Sequence, residues 1–152
     1  MLFDFTNGTV AFDDWMEVSD TEREVGKSKG VLVPQTTQQF QRAIFFTLLN
    51  PQPNGAGFAG IVYRKKPFDL TAFQGLKLTV RAQGENFFYK AMLRHHNDES
   101  SLQPSYEAFF EVRREPRSIV CVVDSFELCL ATEKRAEGTI SRLRGFQAVQ
   151  PW

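Results

Sequence analysis

Short apolar runs of strand length, separated by Gly, Pro and Asn, set the texture of this chain. The cleanest lies at Leu76 to Gln83, where Leu76, Leu78, Val80 and Ala82 alternate with Lys77, Thr79, Arg81 and Gln83. A period of two predicts a strand with one apolar and one polar face. Upstream, the turn Asn54-Gly55-Ala56-Gly57 opens into a second run, Phe58 to Tyr63; downstream, Gly84 precedes Phe87 to Arg94. In that third strand Phe87, Tyr89, Ala91 and Leu93 share one face, and Phe88, Lys90, Met92 and Arg94 share the other. Tyr106, Ala108, Phe110 and Val112 continue the inward set, which turns Glu107 and Glu111 outward. Gly55, Gly57 and Gly84 therefore read as turns between strands.

The flanks are less regular. Leu2 to Phe5 alternates as a short edge strand would, and Asn7-Gly8 is a turn pair. Trp15, Met16 and Val18 lead into a polar loop, Ser19 to Gly30. Val31 to Val33 reads as a strand stopped by Pro34, which cannot donate to a ladder. Phe40 to Leu49 fits a helical stripe through Phe40, Ala43, Ile44 and Thr47, but its aromatic and β-branched content and its Asn50-Pro51 end favour a strand. Pro67 to Gly75 reads as one helical turn at most, closed by Gly75. Beyond Val112, the charged turn Arg113 to Arg117 precedes a buried strand at Ile119 to Val123. Asp124 and Glu127 have the spacing of a capping box for a helix across Phe126, Cys129 and Leu130 that ends at Gly138, and Thr139 to Val149 reads as a last strand. Many short strands, frequent turns and little helix predict an all-β sandwich or barrel.

Composition narrows the picture. At 152 residues the chain is predicted to be a single domain, residues 1–152, and a domain of this size buries roughly 70% of its unfolded surface, so it needs no staple. Eighteen basic and eighteen acidic residues cancel, so no global field recruits nucleic acid or an anionic membrane. Fifteen Phe residues suggest packing first and an exposed aromatic platform second. Cys121 and Cys129 are too few for a disulfide framework and lack metal-ligand spacing; free thiols suit a reducing compartment. No apolar run reaches the length of a transmembrane helix, and Met1 to Phe5 has neither the basic start of a signal peptide nor an Arg-rich leader.

Candidate chemistry is sparse. Gly26-Lys27-Ser28 has the end of a phosphate loop, but Thr21 stands where its first Gly belongs, and Gly30 and Pro34 oppose the helix that should follow. His95-His96 with Asp98 and Glu99 is the one ligand-like cluster, without a third ligand at zinc spacing. Neither a G-x-S-x-G elbow nor a recognisable cysteine nucleophile is present. No enzyme, no cofactor and no resident metal is expected. What remains is a mixed-charge face, Arg81, Lys90 and Arg94 beside Glu107 and Glu111, together with the Ser19 to Gly30 loop.

At that loop and in the central strands the chain resembles the complex I intermediate-associated protein 30 domain. Family members carry a Trp followed by Asp-Thr and then Gly-Gly-x-Ser; here stand Trp15, Ser19-Asp20-Thr21, Gly26 and Ser28. A Gly-Gly-Phe-Ala turn is matched by Gly55-Ala56-Gly57-Phe58-Ala59, and an Asp-Leu segment by Asp69-Leu70. The strand with Arg81 before Gly84, the aromatic strand Tyr89 to Arg94, and Tyr106 with Phe110 follow in order. The resemblance covers about residues 1–112. It departs where Gln83-Gly84-Glu85 replaces a Gly-Asp-Gly turn, where Glu22 to Val25 removes one glycine of the pair, and after residue 112, where Ile119 to Phe126 only loosely follows the family pattern.

The resemblance implies a galactose-binding-like jelly roll, with its last strand in question, and a non-catalytic, chaperone-like module whose partners are assembly intermediates of mitochondrial respiratory complex I. Asp20, Thr21, Ser28, Arg81, Lys90, Arg94, Glu107 and Glu111 are the candidate partner contacts. A second expectation is a carbohydrate-binding module, with Trp15 stacking on a sugar beside Asp14 and Asp20. Some galactose-binding-like folds hold a structural calcium ion, though no acidic cluster marks one here. The resemblance points to the mitochondrial matrix, and the N-terminus, taken as it stands, to the cytoplasm.

Overall fold

A computed structural model describes residues 1–22, 26–53, 57–94, 105–122, 127–129 and 142–148. The fold is all-β, with two short 3-10 turns at Phe12–Asp14 and Asp20–Glu22 as its helical content among the described residues. Two compact units divide it, Met1–Lys65 and Lys66–Trp152.

In the first unit, β1 (Trp15–Ser19) pairs antiparallel with β4 (Ala59–Tyr63), Trp15 opposite Tyr63 and Ser19 opposite Ala59. β2 (Lys29–Thr36) and β3 (Gln41–Leu48) form a hairpin, Lys29 opposite Leu48 and Thr36 opposite Gln41. The apolar run at 40–49 is thus a strand, as its β-branched and aromatic residues predict. Pro34, expected to stop β2, lies inside it opposite Ala43. Gly30 N–H donates to Glu17 Oε1 at 3.0 Å, away from β3. Along one strand alternate N–H groups point the same way, so position 34 also points away from the hairpin ladder. The donor that Pro lacks is one the ladder does not use.

Leu2 to Phe5 is not a strand. Asp4 accepts from Thr6 N–H at 2.9 Å and from Thr6 Oγ1 at 2.6 Å, closing a turn in place of a ladder. Those bonds, the side-chain one foremost, hold the exposed Asp4 carboxyl below its ordinary range. The turn continues to Gly8, whose φ of 73° suits glycine and confirms the Asn7-Gly8 pair. It carries Phe3 and Phe5 onto Trp15, with ring centroids at 4.9 and 6.1 Å. Trp15, Ala59 and Ile61 are the buried apolar side chains of this unit.

In the second unit, β6 (Phe88–Arg94) is flanked by β7 (Ser105–Glu111) and β10 (Arg142–Ala148), both antiparallel to it, and β7 is followed by β9 (Glu127–Cys129). A separate pair joins β5 (Gly75–Val80) to β8 (Arg117–Val122). β5 keeps its predicted alternation: Leu76, Leu78 and Val80 are half-buried while Lys77 and Thr79 are exposed. Gly75, expected to close a helical turn, instead begins this strand. Asp69 makes a turn by accepting from Thr71 N–H and Oγ1 at 3.0 and 2.6 Å.

The helix expected from Asp124 to Gly138 is overturned at Glu127–Cys129, which pair with Ser105–Glu107 as a strand. A capping box is a local preference of tenths to a few kcal/mol, and ladder pairing can override it. The rest of that stretch lies outside the described residues, as do His95 to Glu99. The final strand is present as β10, with a register shift between Leu143 and Gly145, the bulge that blurs its alternation in the sequence. Ala82, Ala91, Leu93, Ala108 and Val112 are the buried apolar residues of this unit among the described residues.

Candidate functional site

The predicted contact residues fall into two groups, one in each unit. In the first, Asp20 and Ser28 are fully buried. Asp20 Oδ1 accepts from Ser28 N–H and Oδ2 from Ser28 Oγ, both at 2.8 Å. Ser28 Oγ in turn accepts from Asn50 N–H at 3.1 Å, and Asp20 N–H donates to Phe58 O at 3.1 Å. The loop therefore closes on a carboxylate–hydroxyl clasp that also ties down the residues after β3 and before β4. Gly26 belongs to it: a Cβ there would collide with the Asp20 carbonyl group and lie 2.8 Å from Oδ1. Space, not backbone conformation, demands glycine at that position.

Asp20 and Ser28 thus have no surface to offer a partner, because folding needs both side chains to satisfy the interior of the loop. Thr21 is the exposed member, its Oγ1 2.7 Å from Ser19 Oγ. The sugar platform expected at Trp15 is likewise not presented. Trp15 is 9% exposed, enclosed by Phe3, Phe5 and Tyr63, the last at 5.5 Å between ring centroids. Its Nε1 is buried without a hydrogen-bond partner among the described residues. Asp14 is committed to Lys65 Nζ at 3.1 Å. The N-terminal turn, which the sequence places at an edge, is what covers the indole.

In the second unit the β6–β7 register sets Phe88 opposite Glu111, Lys90 opposite Phe109, Met92 opposite Glu107 and Arg94 opposite Ser105. Paired residues point to the same side of a sheet, so Lys90, Arg94, Glu107 and Glu111 do share a face. That face is not uniformly wet. Lys90 Nζ meets Glu107 Oε2 at 3.0 Å with the side chains 16% and 10% exposed, and Ser105 Oγ donates to Glu107 Oε1 at 3.2 Å. Arg94 is half-buried, and its buried Nε has no hydrogen-bond partner among the described residues. At the other end Glu111 is exposed, 3.4 Å from Arg113.

Arg81 does not join them. It follows β5, which pairs with β8 rather than β6, and it is solvent-exposed. Two residues that sequence reasoning left out of the site do belong to the face. Phe109, opposite Lys90, and Phe88, two residues before Lys90 on β6, are 67% and 42% exposed. The signal was the Phe109-Phe110 doublet, since neighbours in a strand point to opposite sides and one of the two must leave the core. Among the described residues, no three His, Cys, Asp or Glu side chains converge as metal ligands, and no helix is long and apolar enough to cross a membrane.

Taken together, the ladders, the internal clasp and an aromatic-and-charged sheet face belong to an all-β chain. Comparison with known families places it further. The sequence model of complex I intermediate-associated protein 30 (CIA30) matches residues 3–139, and the chain belongs to this family. The match runs well past residue 112, where the resemblance in the sequence thinned, and takes in β8 and β9. Among curated proteins none matches the chain.

Proposed function

We propose that this protein is a non-catalytic assembly factor that holds intermediates of mitochondrial respiratory complex I, and that the β6–β7 face is a contact surface for them. The family match over residues 3–139 carries this reading. It runs across both compact units, which supports treating residues 1–152 as one functional domain of jelly-roll type. The face supplies the chemistry a protein partner uses. Phe109 and Phe88 give apolar area at low entropic cost, Glu111 a charged rim, and the shielded Lys90–Glu107 pair a fixed polar centre. Thr21 and the clasped loop are a second point of contact, with Asp20 and Ser28 holding its shape.

The test is affinity purification of the tagged protein from cells that lack the endogenous copy, with native gels of respiratory complexes alongside. Complex I subunits are expected in the purified material, and their assembly intermediates are expected to accumulate without the protein. Phe109→Ser combined with Glu111→Lys should reduce the recovered subunits at least tenfold while the protein itself stays folded. Normal complex I assembly in the absence of the protein would end this proposal.

A further inference from the structure

The β2–β3 hairpin carries an open groove of about 430 Å³ on its outer side, bounded by Lys29, Val31, Phe46 and Leu48 with Glu17 at the rim. The register sets Val31 opposite Phe46 and Lys29 opposite Leu48, so these four side chains share one face. Val31, Phe46 and Leu48 are 48%, 55% and 66% exposed. The opposite face is closed: a Cβ on Gly30 would lie 3.2 Å from both Ala59 Cβ and a Phe45 ring carbon. Apolar residues on both faces are the composition of a strand covered from both sides. Among the described residues, nothing covers the side of Val31, Phe46 and Leu48.

Size and charge select the occupant. The exposed area of these three side chains is on the order of 300 Å², well below the ~800 Å² per partner of a stable interface between folded proteins. A single extended chain fits better. Its alternate side chains fall on one face at ~6.7 Å intervals, the interval between Lys29 and Val31 or between Phe46 and Leu48. The Lys29 side chain is exposed and makes no ion pair or hydrogen bond with any described residue, while Glu17 at the rim is taken up by Gly30 N–H at 3.0 Å, so the ammonium at this end of the groove is unpaired. We infer that this groove takes one extended apolar segment of a partner protein, with an acidic residue of that segment over Lys29. The inference rests on the protein-binding reading for the class of partner only; it concerns a different surface, and it is tested without complex I.

The probe is a fluorescein-labelled hexapeptide, Asp-Thr-Val-Thr-Val-Thr, whose Asp and Val side chains share one face, titrated into the intact protein and followed by anisotropy. Saturable binding is expected, weakened at least tenfold by Phe46→Thr and by Leu48→Thr. Both sites are exposed and Thr keeps strand propensity, and circular dichroism verifies that each variant is folded. Phe73→Thr, at an exposed Phe of the second unit, should leave binding unchanged. Lys29→Glu should weaken the Asp-headed peptide and favour a Lys-headed one. Absence of saturable binding, or an equal loss in Phe73→Thr, overturns the inference. So does a concentration-dependent dimer in sedimentation that Phe46→Thr abolishes, because that assigns the face to a second copy of this chain. If the peptide fails to bind while complex I subunits still co-purify, the groove is wrong and the proposed function stands; peptide binding without those subunits separates the two in the other direction.

Discussion

Asp20 shows how a surface-looking residue becomes structural. In a polar loop its default reading is solvated, yet it is fully buried and answers three donors through itself and Ser28. Removing the carboxylate leaves the Ser28 N–H and hydroxyl without their acceptor in the interior. Asp20→Ala is therefore expected to cost about 2–4 kcal/mol, since a buried hydrogen bond to a charge and an orphaned donor are both lost. Asp20→Asn keeps one acceptor and should cost about half as much. Gly26→Ala should destabilise by about 1–3 kcal/mol, because the methyl group meets backbone that cannot move aside cheaply. Urea unfolding of the variants checks all three. If Asp20→Ala unfolds like the wild type, the clasp does not hold the loop.

Strands β6 and β7 show the same inversion one level up. Alternation placed Lys90 and Glu107 on the polar side correctly, and opposite charges on a wet sheet face contribute only tenths of a kcal/mol. Their side chains are in fact mostly shielded, and a shielded pair costs more to break than to replace. Glu107→Leu and Lys90→Met are each expected to destabilise by about 2 kcal/mol, and the double variant Lys90→Met/Glu107→Leu by less than their sum, with a coupling of about 1 kcal/mol. Additive losses in denaturant unfolding would show that the two charges act independently. The sequence carried the pairing face but not its burial, which depends on what packs above the sheet.

For the whole molecule, charge balance constrains how it meets a partner. Equal numbers of acidic and basic residues leave no net field, so long-range steering is weak and the contact rests on apolar groups with local charges. If the proposed partner is the right one, recovery of complex I subunits is expected to fall less than about tenfold between 50 and 300 mM salt, in contrast to the steep loss seen with polyelectrolyte partners. A larger drop, measured by co-purification across a salt series, would point to an acidic or basic surface as the principal contact.

Local physics determined much of this chain. The period of two at Leu76 to Val80, the strand composition at Phe40 to Leu49 and the Asn7-Gly8 turn all hold, because pleat geometry and glycine's conformational freedom act within a few residues. Family membership was legible for a related reason, since the likeness rests on residues such as Trp15, Asp20, Gly26 and Ser28 read in order along the chain. Tertiary structure alone decided the rest. Pro34 stays in a strand because its missing donor faces away from the ladder, and Glu127–Cys129 join a strand because β7 offers them a partner. Trp15 is covered by a turn that brings Phe3 and Phe5 back onto it. Burial, edge direction and long-range pairing depend on residues far apart in the chain, and no local pattern encodes them.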